Sequence, residues 1–260
     1  GEYLSGLIFS APEGSTVVTP ATTIINNLVA EGVDVRVAET KVQEALGISA
    51  DIDLTRYNPF SDSTDLAVAI EVESAAQKLV SVVNAVATVA EHNGTDKFET
   101  VAQIFDVISE NVLSGATTID FADSGTVGSI VLQMNTQVSS EMIDAIAAVN
   151  GAIDDISLSS SSLSELRAIY SAAQNVLIEA AALSASNDNY LAQKLSGSAS
   201  VQIEQFSYSN VRIEEDTVKA SDGEISGSSF VVERGPQNGT LNISVTDGSW
   251  VYSPNQDFYG

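Results

Sequence analysis

The 260-residue sequence contains no cysteine. A disulfide framework, cysteine-ligated zinc and thiol catalysis are all excluded by that one absence. Histidine is nearly as scarce: His92 is the single one, so a Ser-His-Asp triad or a histidine-ligated metal would have to use it. It precedes Asn93-Gly94, where a helix is expected to stop. A histidine there meets the favourable end of the helix dipole, so it reads as a capping or solvent-exposed residue. Lys and Arg number 10 against 35 Asp and Glu, a formal net charge of −25. Such an imbalance disfavours nucleic acid and anionic membrane as partners and favours cations. No run approaches the roughly 18 apolar residues of a membrane span, so no membrane insertion is expected. The start, Gly1-Glu2-Tyr3-Leu4, lacks the basic segment of a signal peptide, and the chain is expected to be a piece of a longer parent. Phosphate loops of the GxxxxGK[ST] or GxGxxG kind are missing too. Gly125-Thr126-Val127-Gly128 has neither the spacing nor a basic neighbour.

What is present sorts into an extended lead-in over 1–19, an all-α module over 20–197 and a β module over 198–260. Thr19-Pro20 is the start of a helix, with Pro at its first position and Gly32 at its stop. A second helix is expected from Asp34, as N-cap, to Gly47. The segment 51–60 reads as loop. Asp65 to Asn93 carries Ile70, Val72, Ala76, Leu79, Val83, Val86 and Ala90 at roughly helical spacing. Further helices are predicted at Lys97–Leu113, Ser124–Asn135, Ser139–Ile153 and Ser162–Ser184, with a serine-rich connector at 157–164. Abundant alanine favours helix and close interhelix packing. No fixed-period repeat is present, so a compact bundle is expected rather than a solenoid. Leu195-Ser196-Gly197-Ser198-Ala199-Ser200 reads as a flexible small-residue linker.

Residues 210–260 alternate short β-branched and aromatic runs with strong turn signals at Gly235-Pro236, Asn238-Gly239, Asp247-Gly248 and Pro254-Asn255. Leu241, Ile243 and Val245 fall on one face, with Asn242 and Ser244 on the other. That is the pattern of a half-buried antiparallel strand, and strands this short suggest a sandwich.

Three stretches here, Glu214-Glu215-Asp216-Thr217, Gly235-Pro236-Gln237-Asn238-Gly239-Thr240-Leu241 and 247–260 (DGSWVYSPNQDFYG), resemble the cadherin-like tandem repeat of giant bacterial surface proteins and adhesins. Their order and spacing carry the likeness. Such repeats continue past the final Phe-x-Gly, so the β-sandwich (cadherin-like or Ig-like) is expected to be incomplete at Gly260. The opening is similar to adhesin sequence as well: Ser10-Ala11-Pro12-x-Gly14-Ser15-Thr16-x-x-Thr19-Pro20 leads into a helix pair, then Asp51-x-Asp53-Leu54-x-x-Tyr57-x-Pro59 follows. That likeness brings no catalytic residues with it.

The paired acids Glu71/Glu73, Asp120/Asp123 and Asp154/Asp155 are the candidates for acid–base chemistry. Two-apart residues on a helix do not face the same way, and close pairs arise by chance in so acidic a chain. Asp120–Thr126 fails as an EF-hand, because the twelfth position from Asp120 is Val131 rather than Glu. Asp123 or Ser124 reads instead as a helix N-cap, and Asn187-Asp188-Asn189 as a turn. A sugar-binding platform would need clustered aromatics, and Tyr57, Phe60 and Tyr170 are scattered along the chain. In repeat adhesins calcium is held by acids near module junctions, so the resemblance implies a calcium site built from Glu214, Glu215, Asp216 and Asp222. Asp188 is a candidate partner across the linker. The other reading of that group is a solvated β-edge kept from aggregating by its charges.

The expectation is a non-catalytic structural and adhesive segment of a large secreted or cell-surface bacterial protein, spacing its neighbouring modules or presenting a binding face. The alternatives are an accessory module of an extracellular polysaccharide-degrading enzyme, or a helical module that itself binds glycan or peptide.

Overall fold

A computed structural model describes residues 8–58, 65–115, 118–134, 136–159, 162–209, 219–221, 239–243 and 250–254. Thr19 opens the first helix, α1 (Pro20–Ala30), with a reciprocal cap. Its side chain accepts from Thr22 N–H while the Thr22 hydroxyl accepts from Thr19 N–H. Asp34 caps α2 (Val35–Leu46), and Gly47, at φ 69°, closes it in the left-handed region that costs glycine little. Asp65 then caps α3 (Leu66–His92), and Asp96 caps α4 (Lys97–Leu113). Both fall where the sequence places them. Asp123 caps α5 (Ser124–Gln133) by accepting from Thr126 N–H at 2.7 Å. Next come α6 (Ser140–Ser159), α7 (Leu163–Ala185, capped by Ser162) and α8 (Tyr190–Ser209).

Helix α3 is the axis of this all-α bundle. It runs 27 residues without Gly or Pro, about 40 Å at the helical rise. Between Val72 and Ala90 it is buried on nearly every side, as a helix at the centre of a bundle must be. It packs against α1, α4, α6 and α7; α8 lies on α6 and α7, and α2 on α1 and α4. The core is aliphatic, with Ile24, Ile25, Leu79, Ile104, Ile146 and Leu177 fully buried. No helix among the described residues is long and apolar enough to cross a membrane.

Two expectations need correcting. Helix α6 does not stop near Ile153 but continues through Ser157, because Ser157 is buried and donates to Tyr170 Oη at 3.2 Å. A serine with a buried partner is a core residue rather than a connector. The flexible linker at 195–200 is part of α8, interrupted only at Ser198 (φ −158°, ψ 39°). Ala192, Leu195, Ala199 and Ile203 are buried at a helical spacing that the intervening small polar residues mask. Helix therefore persists beyond 197, and the chain divides into units of residues 1–209 and 210–260.

In the second unit β1 (Lys219–Ser221), β2 (Gly239–Ile243) and β3 (Trp250–Pro254) form an antiparallel sheet of order β1-β3-β2. Leu241 lies opposite Tyr252, and Thr240 opposite Ser253. Leu241 and Tyr252 are half-buried while Asn242 and Val251 are exposed, the alternation expected of a strand pair with one covered face. Gly239 opens β2, and the connection to β3 spans 244–249, which contains the Asp247-Gly248 turn signal. Glycine is required at 239 for space, since a Cβ there would lie 2.6 Å from the Ser253 carbonyl oxygen and 2.5 Å from the Tyr252 hydroxyl. Residues 230–232 and Val245 lie outside the described residues, and among the described residues there is one sheet and not the pair of a sandwich.

Candidate functional site

The helical unit holds a pocket of about 350 Å³ between α3 and α7, walled by the lead-in, the start of α1 and the 54–57 loop. Helix α3 contributes Val72, Glu73, Ala76, Gln77 and Val80, successive positions on one face at i, i+1, i+4, i+5 and i+8. Helix α7 contributes Arg167, Tyr170, Ser171, Gln174 and Asn175 from its matching face. Phe9, Val18 to Ala21, Leu54 and Tyr57 complete the wall.

That wall comes from the lead-in with the start of α1 and from the 54–57 loop, and several positions of the stretches 10–20 and 51–57 have a structural task. The Ser10 carbonyl accepts from the Thr22 hydroxyl at 2.9 Å and Ser10 N–H donates to Thr23 Oγ1 at 3.0 Å, which pins the lead-in to α1. Gly14 turns the chain at φ 87°, and Thr16 N–H donates to the Thr55 carbonyl at 2.9 Å, joining the two stretches. The loop is held from α2: Gln43 Nε2 donates to the Ile52 carbonyl and Glu39 Oε1 accepts from Leu54 N–H, both at 2.7 Å. Asp53 accepts from Thr55 N–H and its hydroxyl, and Tyr57 N–H donates to the Asp53 carbonyl at 2.8 Å. Ile52 and Leu54 are thereby buried and Tyr57 is set against the pocket. Burial pushes the Glu39 carboxyl above its ordinary pKa.

Glu73 is the one carboxyl among the lining residues, and it is only 8% exposed. Burial pushes its pKa up to about 7, with the Gln77 hydrogen bond and then the Arg167 charge acting in the opposite direction. Tyr57 is pushed up to about 12, first by burial and then by the negative charges of Glu73, Asp65 and Glu71. Its hydroxyl and Asn175 Oδ1 are both buried without a hydrogen-bond partner. Behind the pocket, Tyr170 Oη lies 3.1 Å from Ser74 Oγ, and burial raises its pKa as well.

The sequence reading placed Tyr57 and Tyr170 too far apart to act together; folding brings both to this pocket with Phe9. Tyr170 is buried with its hydroxyl engaged, so it is a wall and not a stacking platform. Phe60 lies outside the described residues. Glu73 was legible only as half of a chance acidic pair. Its signal was an acid on the inward stripe between Val72 and Ala76. Glu71 faces elsewhere, accepting from Ser49 N–H, as the two-residue spacing requires. Asp154 forms an ion pair with Lys78 at 2.8 Å, and Asp188 accepts from Tyr190 N–H at the start of α8. His92 is exposed in the last turn of α3, its Nδ1–H donating to the Thr88 carbonyl at 2.9 Å. Glu214, Glu215, Asp216 and Asp222, the expected calcium ligands, lie outside the described residues. Among the described residues no group of three or more acids or histidines is arranged to hold a metal ion.

No protein-family profile matches the chain, and neither a curated protein nor a solved structure does.

Proposed function

We propose that the chain is a non-catalytic, adhesive segment of a large secreted or cell-surface bacterial protein, in which the helical unit presents a binding pocket and the β unit belongs to a cadherin-like tandem repeat of sandwich type. The observation that carries this reading is the joint use of the two adhesin-like stretches. Residues 10–20 and 51–57 bond to each other and wall one pocket, so the resemblance coincides with a place where a ligand fits. Pockets of a few hundred Å³ with an apolar lining and a few polar groups are the usual form of ligand sites. The high negative charge suits an extracellular segment that attracts cations, and calcium held by Glu214, Glu215, Asp216 and Asp222 would stiffen the β unit. The partners are neighbouring modules of the same chain and a surface glycan or peptide.

The test is an array of glycans and peptides probed with the intact chain, followed by mass spectrometry of the retained ligand. Retention of unaltered ligand, weakened by Tyr57→Ala, supports the proposal. Cleaved glycan on the array would replace it with an enzyme.

A further inference from the structure

We propose that the α3–α7 pocket is a site for an apolar organic ammonium, a compact hydrophobic body carrying a protonated amine. This goes beyond the adhesive reading and does not depend on where the protein resides. The body has its complement in Pro20, Ala21, Leu54, Val72, Ala76 and Val80, and a volume of about 350 Å³ admits a single ring or a branched aliphatic group.

The head group follows from the polar atoms. Glu73 lines the pocket and is withdrawn from water. Tyr57 Oη and Asn175 Oδ1, on residues lining the same pocket, have no partner. An amide oxygen can only accept, and a carboxylate accepts only. The unpartnered polar atoms of the pocket are thus an amide oxygen and a hydroxyl oxygen, both able to accept, beside a buried carboxyl. An ammonium brings three donors and a positive charge on one atom. A hydroxyl head would bond but bring no positive charge to offset a carboxylate that is costly to bury. A carboxylate head would meet a like charge at Glu73, inside a chain whose net charge of −25 repels anions in general.

Arg167 is the opposing element. It is exposed, so its field is screened by water. Its pull on Glu73 is weaker than the effects of burial and of the Gln77 hydrogen bond, and leaves the carboxyl protonated through much of the range below neutrality. The groups facing Glu73 are Arg167 and Tyr170 from α7 and Tyr57 from the loop. The tyrosines, both raised, stay neutral between pH 5 and about 8. Glu73 is thus the group that titrates there. Its ionisation creates the partner an ammonium needs, so binding strengthens as pH rises through neutrality and is accompanied by proton release.

The experiment is calorimetric titration of the intact chain with 2-phenylethylamine, 2-phenylethanol and 3-phenylpropionate, which share a body and differ in the head. At pH 8 the amine should bind at least about tenfold tighter than the other two. That preference should shrink to less than about threefold at pH 5.5. Glu73→Gln, near-isosteric and checked for unchanged helicity, should bring the amine to the level of the alcohol at pH 8, and Arg167→Gln should tighten it. Phenylalanyl-alanine amide and its N-acetyl form separate the sources of the ammonium. Binding by the free-amine peptide but not the acetylated one assigns the site to chain N-termini, and binding by the amine alone assigns it to free amines. Equal affinity for amine and alcohol, tighter binding of the carboxylate, or no binding by any of the three overturns the proposal.

Discussion

Gln174 of α7 donates through Nε2 to Ser81 Oγ of α3 at 2.9 Å, in the wall where the two helices meet. Its Oε1 accepts from Asn84 Nδ2 at 3.2 Å, so one side chain, only 5% exposed, spends both ends on the central helix. Truncating it removes one partner from each of two buried polar groups at once, and a buried group that loses a hydrogen bond costs about 1–3 kcal/mol. Gln174→Ala is expected to destabilise the helical unit by about 2–4 kcal/mol, measured as a fall in the urea midpoint of the helical circular dichroism signal. A midpoint that stays in place would mean that apolar packing alone couples α3 to α7.

Glu73 gives the helical unit a pH dependence. Its pKa rises from an ordinary 4.5 to about 7 on folding, so the folded state prefers the protonated form. The stability this confers is complete below about pH 4.5, is lost as pH rises towards 7, and is absent above it. Across that window the loss amounts to about 3 kcal/mol for a shift of this size. Glu73→Gln should therefore be more stable than the parent at pH 8 and similar to it at pH 4.5. Urea titrations at the two pH values check this. Parallel losses in parent and variant would show that other carboxyls set the dependence.

The lead-in owes its place to a small set of hydroxyls. Thr23 Oγ1 accepts from Ser10 N–H, and Phe9 next to it packs edge-on against Phe105 with ring centroids 6.1 Å apart. Thr23→Val keeps the shape and removes that acceptor. The expected cost is about 1–2 kcal/mol, together with faster amide exchange at Ser10. Unchanged protection there would count against the lead-in as a fixed pocket wall.

The helical unit was largely legible because its caps are local chemistry. Asp34, Asp65, Asp96 and Asp123 each stand where a side-chain oxygen can meet free N–H groups, and that signal needs no tertiary information. Helix α8 was not legible. Its buried stripe of Ala192, Leu195, Ala199 and Ile203 is set among serines and a glycine, whose local preference is for loops. Packing on α6 and α7 overrides that preference. The pocket was hidden for a different reason. Tyr57 and Asn175 come from separate elements, and only the crossing of α3 and α7 defines the space they share. The alternation along β2 was legible in Leu241 and Asn242, whereas its register with β3 and the role of Gly239 depended on how the partner backbone passes.

Trp250, the sole tryptophan, lies in β3 and so reports on the β unit. If Glu214, Glu215, Asp216 and Asp222 bind calcium, millimolar calcium should raise the melting temperature followed by its fluorescence, because a ligand bound only to the folded state stabilises it by mass action. Chelator should reverse the shift and Asp216→Ala should remove it. Superimposable curves with calcium and chelator would reduce the acidic group to a solvated edge.

As proposed above, this chain stands on the outside of a bacterial cell and binds there. The direct measurement is antibody labelling of intact and permeabilised cells of the source organism, using antibody raised against the purified chain. Full labelling of intact cells, lost after brief external protease treatment, is the expected result. Labelling that appears only after permeabilisation would contradict it.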